Sequence, residues 1–524
     1  MISSSVFFDS YFISFSLFNG PPILFSIYFM NDCNLISMPY ISALGIKFGT
    51  TEKEKISMNN TTEKTSIKSV NPFNNEVLKE FDIMSPEKVD SIIDKADQAF
   101  KSWKTTSIEE RSTIMHKMAS LMREKKEELG ELATLEMGKV LAQAIGEVKI
   151  CAAIFDYYAD NAAEFLADKP LKVPHGEAFL TYEPIGVILS VQPWNFPFYQ
   201  MTRSAAAHIT AGNAMVLKHS SNVPQCAQMM EDLFKEAGLP DGIYTNLFVA
   251  GKDIEPIVAN PKIKAVTLTG SEPAGASIAT AAAKLVKKST LELGGSDPFI
   301  VLEDADIQLA VTTAVQGRMA NGGQVCTSPK RIIVATSIYD EFLAKTKEAF
   351  AQIKVGDPMD TDTTLGPLST EKAAEDVLEQ IQKAAEQGAN IVLGGKRIDR
   401  TGAFLEPTLI TDITPKMDMY FEEVFGPVMM VYKYETIEEA LEIANATEFG
   451  LGGTVFGTDT KKAVEVARKI DSGMIYINHA TSVAPQLPFG GTKQSGYGRE
   501  QAIEGLLEFV NIKLIRTTSP DKPF

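Results

Sequence analysis

Short apolar runs alternate with helical patterns along most of this 524-residue chain, and that alternation restricts the fold more than any other feature of the sequence. Runs at 186–191, 214–218, 244–249 and 265–269 are separated by helical stretches such as 223–237. A second set follows at 298–302, 331–335, 391–393, 428–434, 454–457 and 474–477. Strands that alternate with helices cannot be joined by hairpins, so they assemble into parallel sheets covered by the helices. The expectation is therefore an α/β fold with two such lobes, and a chain of this length needs more than one core. Ligands on sheets of this kind bind beyond the carboxyl ends of the strands. Longer helical patterns over 107–130 and 138–166 precede the first set, after a turn at 71–75, a strand over 77–81 and a Ser85-Pro-Glu helix start. Two extended segments, 172–183 and 508–517, stand apart from both sets and suit oligomer contacts.

Composition excludes several partners. A formal charge of -17 argues against nucleic acid and anionic membrane, which need clustered Lys and Arg. Four cysteines without regular spacing fit a reducing compartment, and the protein is expected to be cytoplasmic. The histidines, His116, His175, His208, His219 and His479, are scattered and read as structural, so no metal is expected. Residues 1–65 differ from the rest. Aromatic and aliphatic residues crowd 6–30, but Asp9 and Gly20-Pro21-Pro22 interrupt the stretch, which suits neither a signal peptide nor a membrane span. Residues 1–57 are read as an extension upstream of an ordinary beginning at Met58.

Three segments carry chemistry. Cys326 lies in Asn321-Gly-Gly-Gln-Val-Cys-Thr-Ser328, Glu292 in Leu291-Glu-Leu-Gly-Gly295, and Asn195 in Pro193-Trp-Asn-Phe-Pro197. They supply a thiol nucleophile, a carboxylate base and an amide donor. Small and hydroxylic neighbours open Cys326 to a ligand, whereas Cys33, Cys151 and Cys226 sit in apolar or helical contexts. The G-x-G-x-x-G fingerprint is absent, since Ser495-Gly-Tyr-Gly-Arg-Glu500 lacks the third glycine. Thr269-Gly-Ser-Glu-Pro-Ala-Gly275 reads instead as a strand-to-helix turn. Gly270 and Ser271 there either hold a pyrophosphate at the helix N-terminus or form an ordinary capped turn. Lys218, at a strand end, either contacts a ribose or phosphate or is solvated.

These segments, with Glu422-Glu-Val-Phe-Gly-Pro427 and Pro488-Phe-Gly-Gly-Thr-Lys-Gln-Ser-Gly496, occur in an order that resembles the NAD(P)-dependent aldehyde dehydrogenase superfamily over roughly residues 68–517. The resemblance implies a Rossmann-type cofactor domain (66–166 and 185–289), a catalytic domain (290–490) and an oligomerisation region (167–184 and 491–524), assembled as homodimers or homotetramers. It implies that Cys326 attacks an aldehyde, that Asn195 and the Cys326 backbone N–H stabilise the oxyanion, and that hydride passes to NAD(P). Glu292 then activates the water that hydrolyses the thioester. Relatives that pass the acyl group to coenzyme A lack this base, so a free acid is the expected product. Lys218, Glu423 and Phe425 match positions around the riboses and nicotinamide, and Trp194 matches a lining residue. Ser221 stands where NAD-preferring relatives carry a glutamate, which points to NADP as cofactor, with NAD as the alternative.

For the substrate, Gly317-Arg-Met-Ala-Asn-Gly-Gly-Gln-Val-Cys326 and Glu508-Phe-Val-Asn-Ile-Lys513 are most similar to succinate-semialdehyde dehydrogenases. Arg203 matches an arginine that binds the substrate carboxylate in several of them; the other reading is a structural ion pair. A second arginine is missing where some members place one, because Ala320 occupies that position and Arg318 lies two residues further back. Thr481 and Ser482 either donate to a carboxylate or satisfy a loop. Lys493 and Glu500 are read as structural ion-pairing residues. Alternatives are another small aldehyde (glutarate semialdehyde, lactaldehyde or an aliphatic one), a cysteine esterase or thioesterase, and a non-enzymatic protein on this scaffold.

Overall fold

Both alternating patterns become parallel sheets in the computed structural model, which describes residues 66–521 and the backbone of two strands near the start. The chain divides into two units, Met1–Thr62 and Glu63–Phe524. In the first, Ser3–Phe8 pairs antiparallel with Tyr11–Ser16; the expectation for 1–57 otherwise lies outside the described residues.

In the second unit one sheet runs in the order Gly496–Tyr497, Lys288–Glu292, Ile263–Thr269, Val187–Gln192, Ala214–His219, Tyr244–Asn246. All neighbours are parallel except Gly496–Tyr497, which is antiparallel to Lys288–Glu292. The chain builds outward from Val187–Gln192 on one side, then returns to build on the other. The switch point therefore lies between Val187–Gln192 and Ile263–Thr269, and a crevice opens beyond their carboxyl ends. Gly496–Tyr497, from the region 491–524 expected to serve oligomerisation, completes this sheet.

The second sheet runs Asn390–Leu393, Thr408–Thr411, Val428–Tyr434, Pro329–Ala335, Asp297–Val301, Thr454–Phe456, Tyr476–Ile477, antiparallel only at its first pair. Its strands feed two cores in alternation: Ile300, Ile333 and Met430 point to one, Phe299, Ile332 and Val431 to the other. Burial of both faces is why these strands read as continuous apolar runs rather than alternating ones. The extended segments pair as expected, Val510–Thr517 with Glu177–Pro184 and that strand with Lys169–Leu171, leaving Ile512 and Leu514 exposed.

The helices follow local signals in part. Ser107 and Glu110 form a capping box at the start of Ile108–Glu124. Gly138, at φ 80°, ends Lys126–Met137 where a Cβ would stand 2.8 Å from the Pro367 ring. Two helices of the first lobe have no capping side chain of their own. Pro197–Thr210 is capped by Glu147 from Leu141–Phe165, whose Oε1 accepts from the N–H groups of Phe198 (2.8 Å) and Tyr199 (2.9 Å). Pro224–Glu236 is capped in the same way by Glu136, which accepts from Gln225 and Cys226. Glu147 also pairs with Lys139, both side chains being enclosed. Removing one member of such a pair leaves an uncompensated buried charge. Glu147→Ala should therefore cost about 3–5 kcal/mol in chemical denaturation, whereas Lys95→Ala, at the exposed pair with Asp241, should change the midpoint little. Equal effects would contradict the buried cap.

Candidate active site

A cavity of about 280 Å³ lies at the switch point. It brings together Trp194 and Asn195 from the end of the first strand, Gly270 and Ser271 from the end of the second, and Cys326, Glu423 and Phe425 from the other lobe. Gln200, Thr269, Leu293 and Gly294 complete the wall. Two larger clefts of about 720 and 640 Å³ flank the Pro86–Trp103 helix and contain none of the expected site residues.

The loop that carries the thiol has an unusual backbone. Asn321, Gly322 and Gly323 have φ of 52°, 65° and 73°, and a Cβ on Gly323 would lie 2.1 Å from the Gly426 carbonyl oxygen. Only glycine tolerates that approach. The side chain of Asn321 donates to the Asn195 carbonyl at 2.7 Å. Asn195 in turn donates through Nδ2 to the Gln324 carbonyl at 3.0 Å and accepts from Gln200 Nε2 at 3.2 Å. A primary amide has two N–H bonds, so this geometry fixes the amide plane and leaves its second hydrogen for a ligand oxygen.

Two buried cations hold the loop from beneath. Arg318 donates to the carbonyls of Gly323 (3.0 Å), Val424 (2.7 Å), Gly426 (2.5 Å) and Val428 (2.5 Å), and to Ser328 Oγ (2.8 Å). It is turned fully inward and is no second substrate arginine; burial draws its pKa down to about 9, partly opposed by Glu423. Lys330 donates to the carbonyls of Val325 and Cys326 and pairs with Glu423 at 3.0 Å. Sequence reasoning missed Lys330. Its signal was two cations, Lys330 and Arg331, opening a strand that is otherwise wholly apolar.

Cys326 is half-buried, and burial pushes its thiol up to about 12, against the pull of Lys330 and Arg203. Glu292 is buried at the end of Lys288–Glu292, and neither carboxyl oxygen has a hydrogen-bond partner among the described residues. Burial holds its pKa well above the usual carboxylate range, opposed chiefly by Arg203. The carboxyl lies beneath the Pro488-Phe-Gly-Gly491 turn, where a Cβ on Gly490 would stand 2.7 Å from Oε1.

Of the two readings left open for Arg203, the structure realises the ion pair. Arg203 is buried against Glu500, donates to Thr269 Oγ1 at 2.9 Å, and lies over the rings of Phe489 (4.4 Å) and Tyr199 (5.3 Å). Burial lowers its pKa, but Glu500 more than compensates and the net shift is upward. The guanidinium thus already has a protein carboxylate as partner. Lys493 also departs from its expected ion pair, donating to the Thr447 carbonyl at 2.7 Å. Ser482 is exposed, with its carbonyl accepting from Tyr476 at 2.6 Å.

The residues present fit a dinucleotide. Ser271 lines the cavity at the N-cap position of Glu272–Lys284, and its hydroxyl makes no capping bond, which leaves the N–H groups of the first turn without a side-chain cap. Trp194 and Phe425 meet edge to face at 5.9 Å and form an aromatic wall. Lys218 and Ser221 lie outside this group, at the end of the adjacent strand Ala214–His219 and in the turn after it. Lys218 is half-buried and Ser221 exposed.

Known proteins place this arrangement. The model of the Aldehyde dehydrogenase family matches residues 58–515. A succinate-semialdehyde dehydrogenase of the NADP(+) type from Deinococcus radiodurans is 48% identical over 448 residues, covering 86% of this chain and 94% of its own. One from Mycobacterium tuberculosis is 46% identical over 452 residues, 86% of this chain and 99% of its own. The crystal structure of succinic semialdehyde dehydrogenase from Streptococcus pyogenes with NADP+ superposes with a TM-score of 0.85 at 44% identity, covering 86% of this chain and 100% of that one.

The thiols differ sharply in environment, Cys151 and Cys226 being buried with pKa values pushed far up by burial. Of these three cysteines iodoacetamide should alkylate Cys326 alone, at a rate that climbs about tenfold per pH unit between about pH 7 and 9, because the thiolate is the reactive form. Peptide mass mapping checks the site, and a flat pH profile would contradict the raised thiol.

Proposed function

The chain belongs to the aldehyde dehydrogenase family, and from that membership we propose that it oxidises succinate semialdehyde to succinate with NADP as the acceptor. The observation that carries the reading is the convergence of a thiol, a fixed amide and an open helix N-terminus in one cavity at the switch point. The similarity to two NADP(+) succinate-semialdehyde dehydrogenases supports the substrate.

In this mechanism Cys326 Sγ adds to the aldehyde carbon and gives a thiohemiacetal. The negative charge that develops on its oxygen is met by the second N–H of Asn195 and the backbone N–H of Cys326. Ser271, Gly270, Glu423, Phe425, Trp194, Lys218 and Ser221 would hold NADP, which would supply the acceptor for the hydride that leaves the thiohemiacetal carbon to give the thioester. The remaining thioester is hydrolysed by water that Glu292 deprotonates. Burial raises the pKa of Glu292 and Arg203 opposes that shift, so water entering the site and the pull of Arg203 both favour its base form. Arg203, while paired with Glu500, is proposed as the partner of a substrate carboxylate, and Ser482 as a donor at the mouth. Ser221 leaves room for a 2'-phosphate where a carboxylate would repel it.

We further infer that copies associate through the Glu177–Pro184 and Val510–Thr517 sheet, whose exposed edge strand carries Ile512, Leu514 and Ile515. No helix among the described residues is long and apolar enough to cross a membrane. A cytoplasmic setting is proposed from the free thiols.

Absorbance at 340 nm with purified protein tests the reaction. Succinate semialdehyde should exceed butyraldehyde in kcat/KM by about tenfold or more, the effect of one charge-assisted contact. Absence of NAD(P)H with any aldehyde, alongside turnover of an ester without cofactor, would favour the hydrolase reading instead. Ser221→Glu should lower kcat/KM for NADP by about tenfold or more through like-charge repulsion while affecting NAD less; equal loss with both would contradict the assigned contact.

A further inference from the structure

Lys330 lies at the start of the Pro329–Ala335 strand with its side chain fully enclosed, and its ammonium has three oxygen partners, two by hydrogen bond and one by ion pair. They are the carbonyls of Val325 and Cys326, each at 2.8 Å, and Glu423 Oε1 at 3.0 Å. The Val325 carbonyl belongs to the same peptide unit as the Cys326 N–H. A cationic donor on that oxygen polarises the amide and strengthens its N–H as a donor, and it also fixes the plane in which that N–H points. The Cys326 carbonyl belongs to the following peptide. Both peptides that flank the thiol are thus anchored on one charge.

The same charge lies beside the thiol in a setting where water screens it poorly. The charged groups around Cys326 are Lys330 and Arg203, which favour the thiolate, and Glu423 and Asp297, which oppose it. Asp297 is buried, accepts from the Gly452 N–H at 3.1 Å through one oxygen, and has no partner on the other. Glu423 differs from Asp297 in reaching Lys330 directly while also lining the cavity, so it bears on both the ammonium and the ligand space.

We propose that Lys330 is a positioning residue for the nucleophile: it aims the Cys326 N–H at the developing oxyanion and supplies the positive charge that favours the thiolate, with Glu423 setting how much of that charge the thiol feels. This rests on the reading of Cys326 as the nucleophile. A lysine that merely satisfied two buried carbonyls would affect the loop's stability without a signed effect on thiol acidity, and Glu423 would then be a cofactor contact only.

Opposite signs test this. In Lys330→Met the positive charge is lost at nearly constant length, and alkylation of Cys326 by iodoacetamide should slow about tenfold or more throughout about pH 7 to 9. In Glu423→Gln the opposing charge is lost while Lys330 remains, and alkylation should accelerate. Lys330→Met should also lower kcat more than it raises KM for NADP. Slower alkylation in the first variant with faster alkylation in the second supports the proposal; an unchanged rate in folded Lys330→Met, or slowing in both, overturns it. If Lys330→Met fails to fold, Glu423→Gln decides alone, faster alkylation supporting and an equal or slower rate overturning. Alkylation needs neither aldehyde nor cofactor, so a native protein that forms no NADPH would defeat the proposed reaction and leave this result interpretable.

Discussion

Backbone carbonyls that turn away from water need donors, and around the thiol those donors are buried cations. The left-handed run at Asn321, Gly322 and Gly323 folds the nucleophile loop onto the 424–428 backbone and drives carbonyls of both segments inward. Arg318 binds the carbonyls of Gly323, Val424, Gly426 and Val428. Lys330 takes those of Val325 and Cys326, and Arg331 those of Ser296, Ile443 and Ala444. Each cation stitches together segments far apart in sequence. The position of Cys326 therefore depends on the catalytic lobe as a whole rather than on its own loop.

That clamp explains the electrostatic character of the site. The carbonyls neutralise the cations only in part, and the remaining positive potential lies between a thiol and carboxyl groups that burial would otherwise keep protonated. Burial disfavours the charged forms of both Cys326 and Glu292, and neither carboxyl oxygen of Glu292 has a hydrogen-bond partner among the described residues. A site that disfavours charge on its thiol and carboxyl until a ligand changes the local solvation would limit side reactions of an exposed thiolate. The Arg203–Glu500 pair contributes a second enclosed cation that acts on Cys326, tying the Pro197–Thr210 helix to the C-terminal segment.

Much of this was legible in the sequence because strand burial leaves a plain mark. The run 428–434 matched the strand Val428–Tyr434, and both alternating sets became parallel sheets. Thr408–Thr411 escaped because it is four residues long with threonine at both ends. Gly496–Tyr497 escaped because two residues carry no periodicity, although they complete the first sheet. The caps from Glu147 and Glu136 were illegible for another reason: they lie 51 and 89 residues from the helices they serve. Cys326, Asn195, Gly270, Ser271, Glu423 and Phe425 do line one cavity. Arg203 remained ambiguous because its meaning depends on where Glu500 folds, nearly 300 residues later in the chain. Lys330 had a visible sign, a lysine inside an apolar strand, which only the inward carbonyls of the loop make intelligible.

The most direct test of a covalent thioester on Cys326, released by Glu292, is rapid mixing of Glu292→Gln with succinate semialdehyde and saturating NADP. The account predicts a burst of NADPH equal to the concentration of active sites, a slow steady phase, and an acyl adduct on the Cys326 peptide. A burst-free progress curve at the native steady rate, with no adduct at Cys326, would contradict it.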